Sequence, residues 1–376
     1  MSGRLVALDA WRGILATVVV IYHFMNAFFA TRFDGAVILS GAYVAVDAFF
    51  VISGFIISRI YFDKLSSFHD LKIFMFRRFF RLWPLNIVIL LGFLACRVLA
   101  GILSGDDVFN DTAYSVMGVM ASAVLLQSFG LFDLIVWNVP AWSISAEFYV
   151  YVLFGLSVTL FGKGGSVISA LLSVVLLSFL VVIYRASDLQ VDADYGVFRC
   201  IYGFSSGILV MWLLNYLDGR CDIYKFRILL QWLCVPGVVA YLHLGAYGGL
   251  SFVAPLIFSF FVIAFSDNRG FWTKVLSTKP FVFLANVSYS IYMTHWLILI
   301  VFTKALVHLN VFGFYFIRSG LSDRVVIGSD GVLAIVLLTL LIIVFFVSWV
   351  TYNVIELPFQ RFGERFAPKR LVINSM

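Results

Sequence analysis

Arg12 and His23 are the first side chains in this sequence with chemistry to offer, and both lie in an apolar run that continues to Ala30. Eleven residues at about 100° each make three turns plus about 20°, so on a helix the two share one face, roughly 16 Å apart. Charged or titratable groups inside a membrane helix are costly and face a bundle interior or a wet cavity. Near its ordinary pKa of about 6.5 an imidazole can take the proton of a hydroxyl at neutral pH, and a guanidinium can hold an anion.

Three later stretches add to this pair. Arg77-Arg78-Phe79-Phe80-Arg81, with Pro84 beyond it, interleaves arginines with aromatic rings. That pattern suits a phosphate-bearing ligand, bound bidentately and by stacking, and equally a basic belt on anionic lipid. Trp137-Asn-Val-Pro-Ala-Trp142-Ser143-Ile-Ser-Ala-Glu147-Phe-Tyr149 enters a span from the outside. It places Glu147 about four residues, roughly 6 Å, below the outer surface. Ser288-Tyr-Ser-Ile-Tyr-Met-Thr-His295 lies in a late span. Counted from the inner ends of their spans, His295 is about 14 residues in and His23 about 13, so both lie roughly 20 Å up, near Glu147. Asp47 falls nearer the midplane and Arg199 at an outer mouth. His23, His295 and Glu147 are the candidate acids and bases. Asp47, Trp142, Ser143 and Arg199 are the expected substrate contacts. Phosphate binders at one face and a base near the other point to group transfer across a membrane. No metal is expected, because no two of these ligands are close in sequence.

The elements that must position these residues are membrane spans. Of the 376 residues, 62% are hydrophobic and 12% charged, about half the charged share of a soluble domain. Apolar runs near 10–30, 37–61, 84–104, 143–161, 166–184, 200–216, 228–245, 249–266, 281–303 and 331–353 read as ten crossings of one all-α polytopic domain, 1–376. The first run has no small-residue cleavage site and reads as a retained span. The net charge of +6 sits between apolar runs, which favours contact with lipid over nucleic acid. Arg59, Lys64, Lys72, Arg77, Arg78 and Arg81 after the second span put that end, and with it both termini, inside. Residues 113–131 are apolar enough for an eleventh crossing, but charge bias opposes it. With ten crossings, Arg220, Lys225, Arg227, Arg269, Lys274, Lys279, Arg361, Arg365, Lys369 and Arg370 lie inside, against Lys304, Arg318 and Arg324 outside. The stretch 105–142, with Asp106, Asp107, Asp111 and Asp133, is therefore expected to be external and partly re-entrant. Cys96, Cys200, Cys221 and Cys234 show neither CxxC nor metal-ligand spacing. No internal repeat of the transporter kind is visible, although intramembrane His, Asp and Glu would also suit a proton-coupled transporter.

Taken together, these motifs resemble the membrane acyltransferase-3 family of carbohydrate O-acyltransferases. The resemblance rests on Leu8-Asp9 with Arg12 and His23, Val46-Asp-Ala-Phe-Phe-Val-Ile-Ser-Gly-Phe55, Arg77–Arg81 with Pro84, Asn138–Glu147, Arg199 with Gly203 and Gly207, Ser288–Tyr292 with His295, and Glu356-Leu-Pro-Phe359. Asn86 stands where an aromatic is more usual. The resemblance implies ten helices with both ends cytoplasmic, in a bacterial inner membrane. It also implies transfer of an acyl group, commonly acetyl, from cytoplasmic acyl-CoA to an envelope or exported saccharide. His23 would be the catalytic residue with Arg12 as partner, and Arg77, Arg78 and Arg81 would hold the CoA phosphates. Another acyl group, such as succinyl, is the alternative within this class. The minimal form, without a C-terminal hydrolase-like domain, is implied as well.

Overall fold

A computed structural model describes residues 4–30, 41–105, 107–109, 112–184, 188–193, 196–218, 220–245, 248–309, 315–319, 322–327 and 330–365. Asp106, Asp111, Lys369 and Arg370, counted above, lie outside these residues.

Lipid offers no hydrogen-bond partners to a bare backbone, so apolar runs of span length close their bonds as helices. The chain does this at α1 (Val6–Ala27), α2 (Ala45–Tyr61), α3 (Phe68–Ser104), α5 (Ala141–Tyr184), α6 (Gly196–Leu217), α7 (Tyr224–Ala240), α8 (Ala254–Phe265), α10 (Lys279–His308) and α11 (Asp330–Thr351). Shorter helices are α4 (Val116–Ala123), α9 (Phe271–Leu276) and α12 (Leu357–Arg365). Nine helices among the described residues are long and apolar enough to cross a membrane. One of the nine, α5, supplies both the fourth and the fifth expected span. A straight helix of its 44 residues would be about 66 Å long, twice a bilayer core. The chain turns instead at Gly162, whose φ of 67° suits glycine. Ser157 Oγ donates to Ser166 Oγ at 3.3 Å; nine residues of unbroken helix would hold these groups about 13 Å apart. Lys163, just past the turn, pairs with Asp63 in the α2–α3 connection, so both turns lie at one end of the bundle. That end carries most of the basic residues and is called the basic end below.

Lipid-facing and buried stripes alternate as packing requires. On α11, Ile335, Leu338, Ile342, Phe346 and Trp349 are exposed, whereas Leu340, Val344 and Ser348 are fully buried. Ser348 Oγ meets Thr294 Oγ1 of α10 at 3.1 Å. Close backbone approach at small residues joins the central helices, as in membrane bundles generally. α1 packs mainly on α10, and α2 on α6. A Cβ at Gly13 would overlap the Leu284 carbonyl, and one at Gly207 would overlap that of Val51.

Among the described residues of 105–142 no helix is long enough to cross a membrane. α4 is eight residues long, about 12 Å. Its closing carbonyls are capped by side chains of the bundle: Trp83 Nε1 donates to Ala123 O at 2.8 Å, Asn86 Nδ2 to Ser122 O at 3.0 Å and Tyr149 OH to Val124 O at 3.1 Å. Tyr149 is the ninth residue of α5, so the segment dips about two turns alongside that helix. Its polar backbone is thus satisfied by protein, as a segment that dips into a bundle requires.

Three strands depart from the purely helical expectation. α1 ends at Ala27, and β1 (Phe28–Ala30) pairs in parallel with β3 (Ser322–Ile327), which pairs antiparallel with β2 (Tyr315–Ser319). This sheet caps the end opposite the basic one. It ties the exit of α1 to the α10–α11 connection, and so fixes the two helices that carry the histidines.

Candidate active site

α1 presents two separate polar groups, one towards each end. Towards the sheet, His23 Nδ1 lies 2.9 Å from His295 Nε2 of α10, with the rings nearly parallel at 16°. Similar depth was legible from the sequence; contact was not. Trp296 stands edge-on to the His23 ring at 5.1 Å, and the Tyr292 ring lies 6.0 Å from His295. His295 is 1% exposed, while His23 is only partly buried.

Towards the basic end, Arg12 leaves His23 three turns behind and faces α3. Arg81 lies within electrostatic range of Arg12, Arg78 and Glu356. The guanidinium of Arg78 lies 5.7, 5.9 and 5.8 Å from the ring centres of Tyr61, Phe74 and Tyr151, a cation–π cage. Arg77 reaches the Tyr61 hydroxyl beside it. Among the described residues neither Arg12 nor Arg81 makes a hydrogen bond, although both lie partly buried in the bundle. Two such cations side by side are an arrangement that an anion would stabilise. The spacing of α1 thus separates rather than joins its two polar residues: Arg12 belongs with the arginines and His23 with His295.

Glu356 is the site residue that sequence reasoning left without a role. It accepts from Ser290 Oγ at 2.7 Å and from Gln360 Nε2 at 2.9 Å, and it offsets part of the charge of Arg12 and Arg81. A carboxylate where a span ends, inside Glu-Leu-Pro-Phe, was the available signal. α12 follows it and packs back on α3, with Phe362 5.0 Å from the Phe80 ring.

Two positions along the helices differ from expectation. Glu147 does not sit beside the histidines: it accepts from Tyr151 OH at 2.6 Å and from Ser53 Oγ, in the middle of α2, and it lies in electrostatic range of Arg78. The reason is the re-entrant segment. α5 starts at Ala141, alongside a segment that already lies against the bundle. Asp47, expected near the midplane, lies in the first turn of α2, because that helix begins at Ala45. Residues 31–40, assigned to the same span, lie outside the described residues.

The four expected substrate contacts come together as one buried cluster. Asp47 takes both Nε (3.0 Å) and Nη2 (2.7 Å) of Arg199, and Arg199 also donates to Tyr43 O and Val191 O. Four of its five N–H donors are thus taken within the protein. Trp142 covers the guanidinium at 5.3 Å, and Ser143 Oγ is 2.8 Å from Tyr292 OH. Side-chain exposure of the ion pair is 3% and 0%. This geometry belongs to a clamp joining α2, α6 and α5. Arg199→Ala, which strands a buried carboxylate, is expected to cost about 3–5 kcal/mol. It should lower the melting temperature of the detergent-solubilised protein markedly. An unchanged melting curve with a raised acceptor KM would instead make Arg199 a ligand contact.

Among the described residues no three His, Cys, Asp or Glu side chains converge as a metal site would need. A cavity of about 260 Å³ at the basic end, between α2, α6 and α7, is lined by Phe55, Arg59, Asp218, Arg227 and Arg269. Neither the His pair nor Arg12 or Arg81 lines it.

A family model described as an acyltransferase domain matches residues 5–355, nearly the whole chain. No curated protein and no solved structure matches.

Proposed function

The chain belongs to that acyltransferase family, acyltransferase-3, and is a membrane acyltransferase; on that premise we propose that it moves an acyl group, acetyl by preference, from acyl-CoA at the basic end to a saccharide hydroxyl at the other. One observation carries the reading: α1 holds an Arg12 with no hydrogen bond among the described residues, in electrostatic range of Arg81 and about three turns from a partly buried His23. The phosphates of the donor would rest on Arg12, Arg78 and Arg81, with Arg77 at the rim. The flat adenine would find Phe and Tyr rings around them. The thioester arm would then run along α1 towards His23, the base that takes the acceptor's proton.

The basic end faces the cytoplasm in this proposal, where acyl-CoA is made. The positive-inside bias supports that orientation, and a bacterial inner membrane with an envelope or exported glycan as acceptor fits it. The acceptor would approach from the sheet side, past the re-entrant segment.

The test is transfer of labelled acyl groups by purified protein in sealed vesicles, with a panel of acyl-CoAs supplied on one side and saccharide on the other. Covalent label on the saccharide is expected only when acyl-CoA meets the basic end, with acetyl preferred to succinyl. Saccharide or proton flux without covalent label would overturn the enzyme reading in favour of a transporter.

A further inference from the structure

We infer that His295 is the positioning residue of the base: it holds His23 in the one tautomer whose Nε2 lone pair is free for the acceptor hydroxyl. The inference rests on the proposed role of His23.

The hydrogen-bond chain has a single consistent direction. His295 Nδ1 is 3.1 Å from the carbonyl oxygen of Ile291. A carbonyl only accepts, so this nitrogen carries the proton. A neutral imidazole has one N–H, and therefore His295 Nε2 is an acceptor. The proton between the rings, across 2.9 Å, then belongs to His23 Nδ1. His23 has no second proton, so its Nε2 presents a lone pair. His295, with both nitrogens engaged, has none to offer a substrate. The logic is that of any histidine whose second nitrogen is committed to a partner, with a neutral imidazole in place of the usual carboxylate.

Packing keeps the pair in place. His295 is buried, and the Tyr292 ring beside it is held through its hydroxyl by Ser143 of α5. Trp296 packs edge-on against the His23 ring. During transfer the hydroxyl proton passes to His23 Nε2 as the acceptor oxygen bonds to the thioester carbon. When the C–S bond breaks, that proton passes to the leaving sulfur, giving ester and CoA thiol. The Nδ1 proton stays on His295's side of the ring throughout, and the starting tautomer returns.

The experiment compares purified His295→Leu and His295→Gln, each checked for melting temperature and CoA binding. Leucine removes the acceptor and should lower kcat about 10²–10³-fold with donor KM within twofold. Glutamine can offer a carbonyl oxygen near the position of Nε2 and should recover at least tenfold of that loss. Should the leucine variant not fold, His295→Asn, polar but too short to reach His23, stands in with the same expected loss. The double variant His23→Ala/His295→Leu should be no slower than His23→Ala alone, because the two act as one unit. Glutamine as inactive as His23→Ala, or leucine within threefold of the parent, would overturn the positioning role. Retained transfer in His23→Ala would instead remove the base assignment itself.

Discussion

His23→Ala protein is expected to fold, to bind CoA like the parent, and to transfer its acyl group about 10²–10⁴-fold more slowly. An alcohol that keeps its proton is a poor nucleophile towards a thioester, and a positioned base supplies a factor of that size. The separation of the two polar groups on α1 makes the prediction specific. Arg12 lies roughly 16 Å along the helix from His23, so removing the imidazole leaves the arginines untouched. A loss confined to kcat, with donor affinity unchanged, is therefore the expected signature. Equal loss of CoA affinity would mean that His23 binds the donor, and near-normal transfer would mean that another group takes the proton.

The second large effect is expected at Arg81. Replacing one charge-assisted contact to a phosphate should cost about 1.5–3 kcal/mol, or roughly 10- to 150-fold in affinity. Arg81 is a cleaner test than Arg78. The guanidinium of Arg78 packs on Tyr61, Phe74 and Tyr151, so its removal also disturbs packing. Arg81 makes no hydrogen bond among the described residues, and its nearest charges include two like ones, Arg12 and Arg78. Arg81→Ala should thus melt at or above the parent temperature while binding CoA 10- to 150-fold more weakly, as calorimetry would measure. Unchanged affinity in both Arg81→Ala and Arg78→Ala would make the cluster a basic belt on lipid.

Much of the scaffold was legible because lipid leaves the backbone few choices. The expected apolar runs form helix over most of their described residues, and even the break between residues 161 and 166 appears, at Gly162. The errors came where helix ends depart from hydropathy. Span 2 reads as starting near 37, yet α2 starts at Ala45, which moves Asp47 from the middle to the first turn. Glu147 meets Ser53 and Tyr151 because the chain enters the bundle before it turns helical, which hydropathy does not show. The β1–β3–β2 sheet escaped notice because strands of three to six residues lack a period long enough to stand out.

The sequence by itself determined what lies along one helix: that Arg12 and His23 share a face, that three arginines interleave with aromatics, and that the basic residues gather at one end. Those follow from 3.6 residues per turn and the cost of charge in lipid. What lies between helices was decided only by tertiary structure. His23 meets His295 across 272 positions of sequence, Arg12 faces Arg81 and Glu356, and Asp47 spends its carboxylate on Arg199. Such meetings depend on how far each helix is rotated and advanced against its neighbour. In this bundle those degrees of freedom are set by backbone contact at Gly13 and Gly207, a property of the packed helices together and of no single stretch of chain.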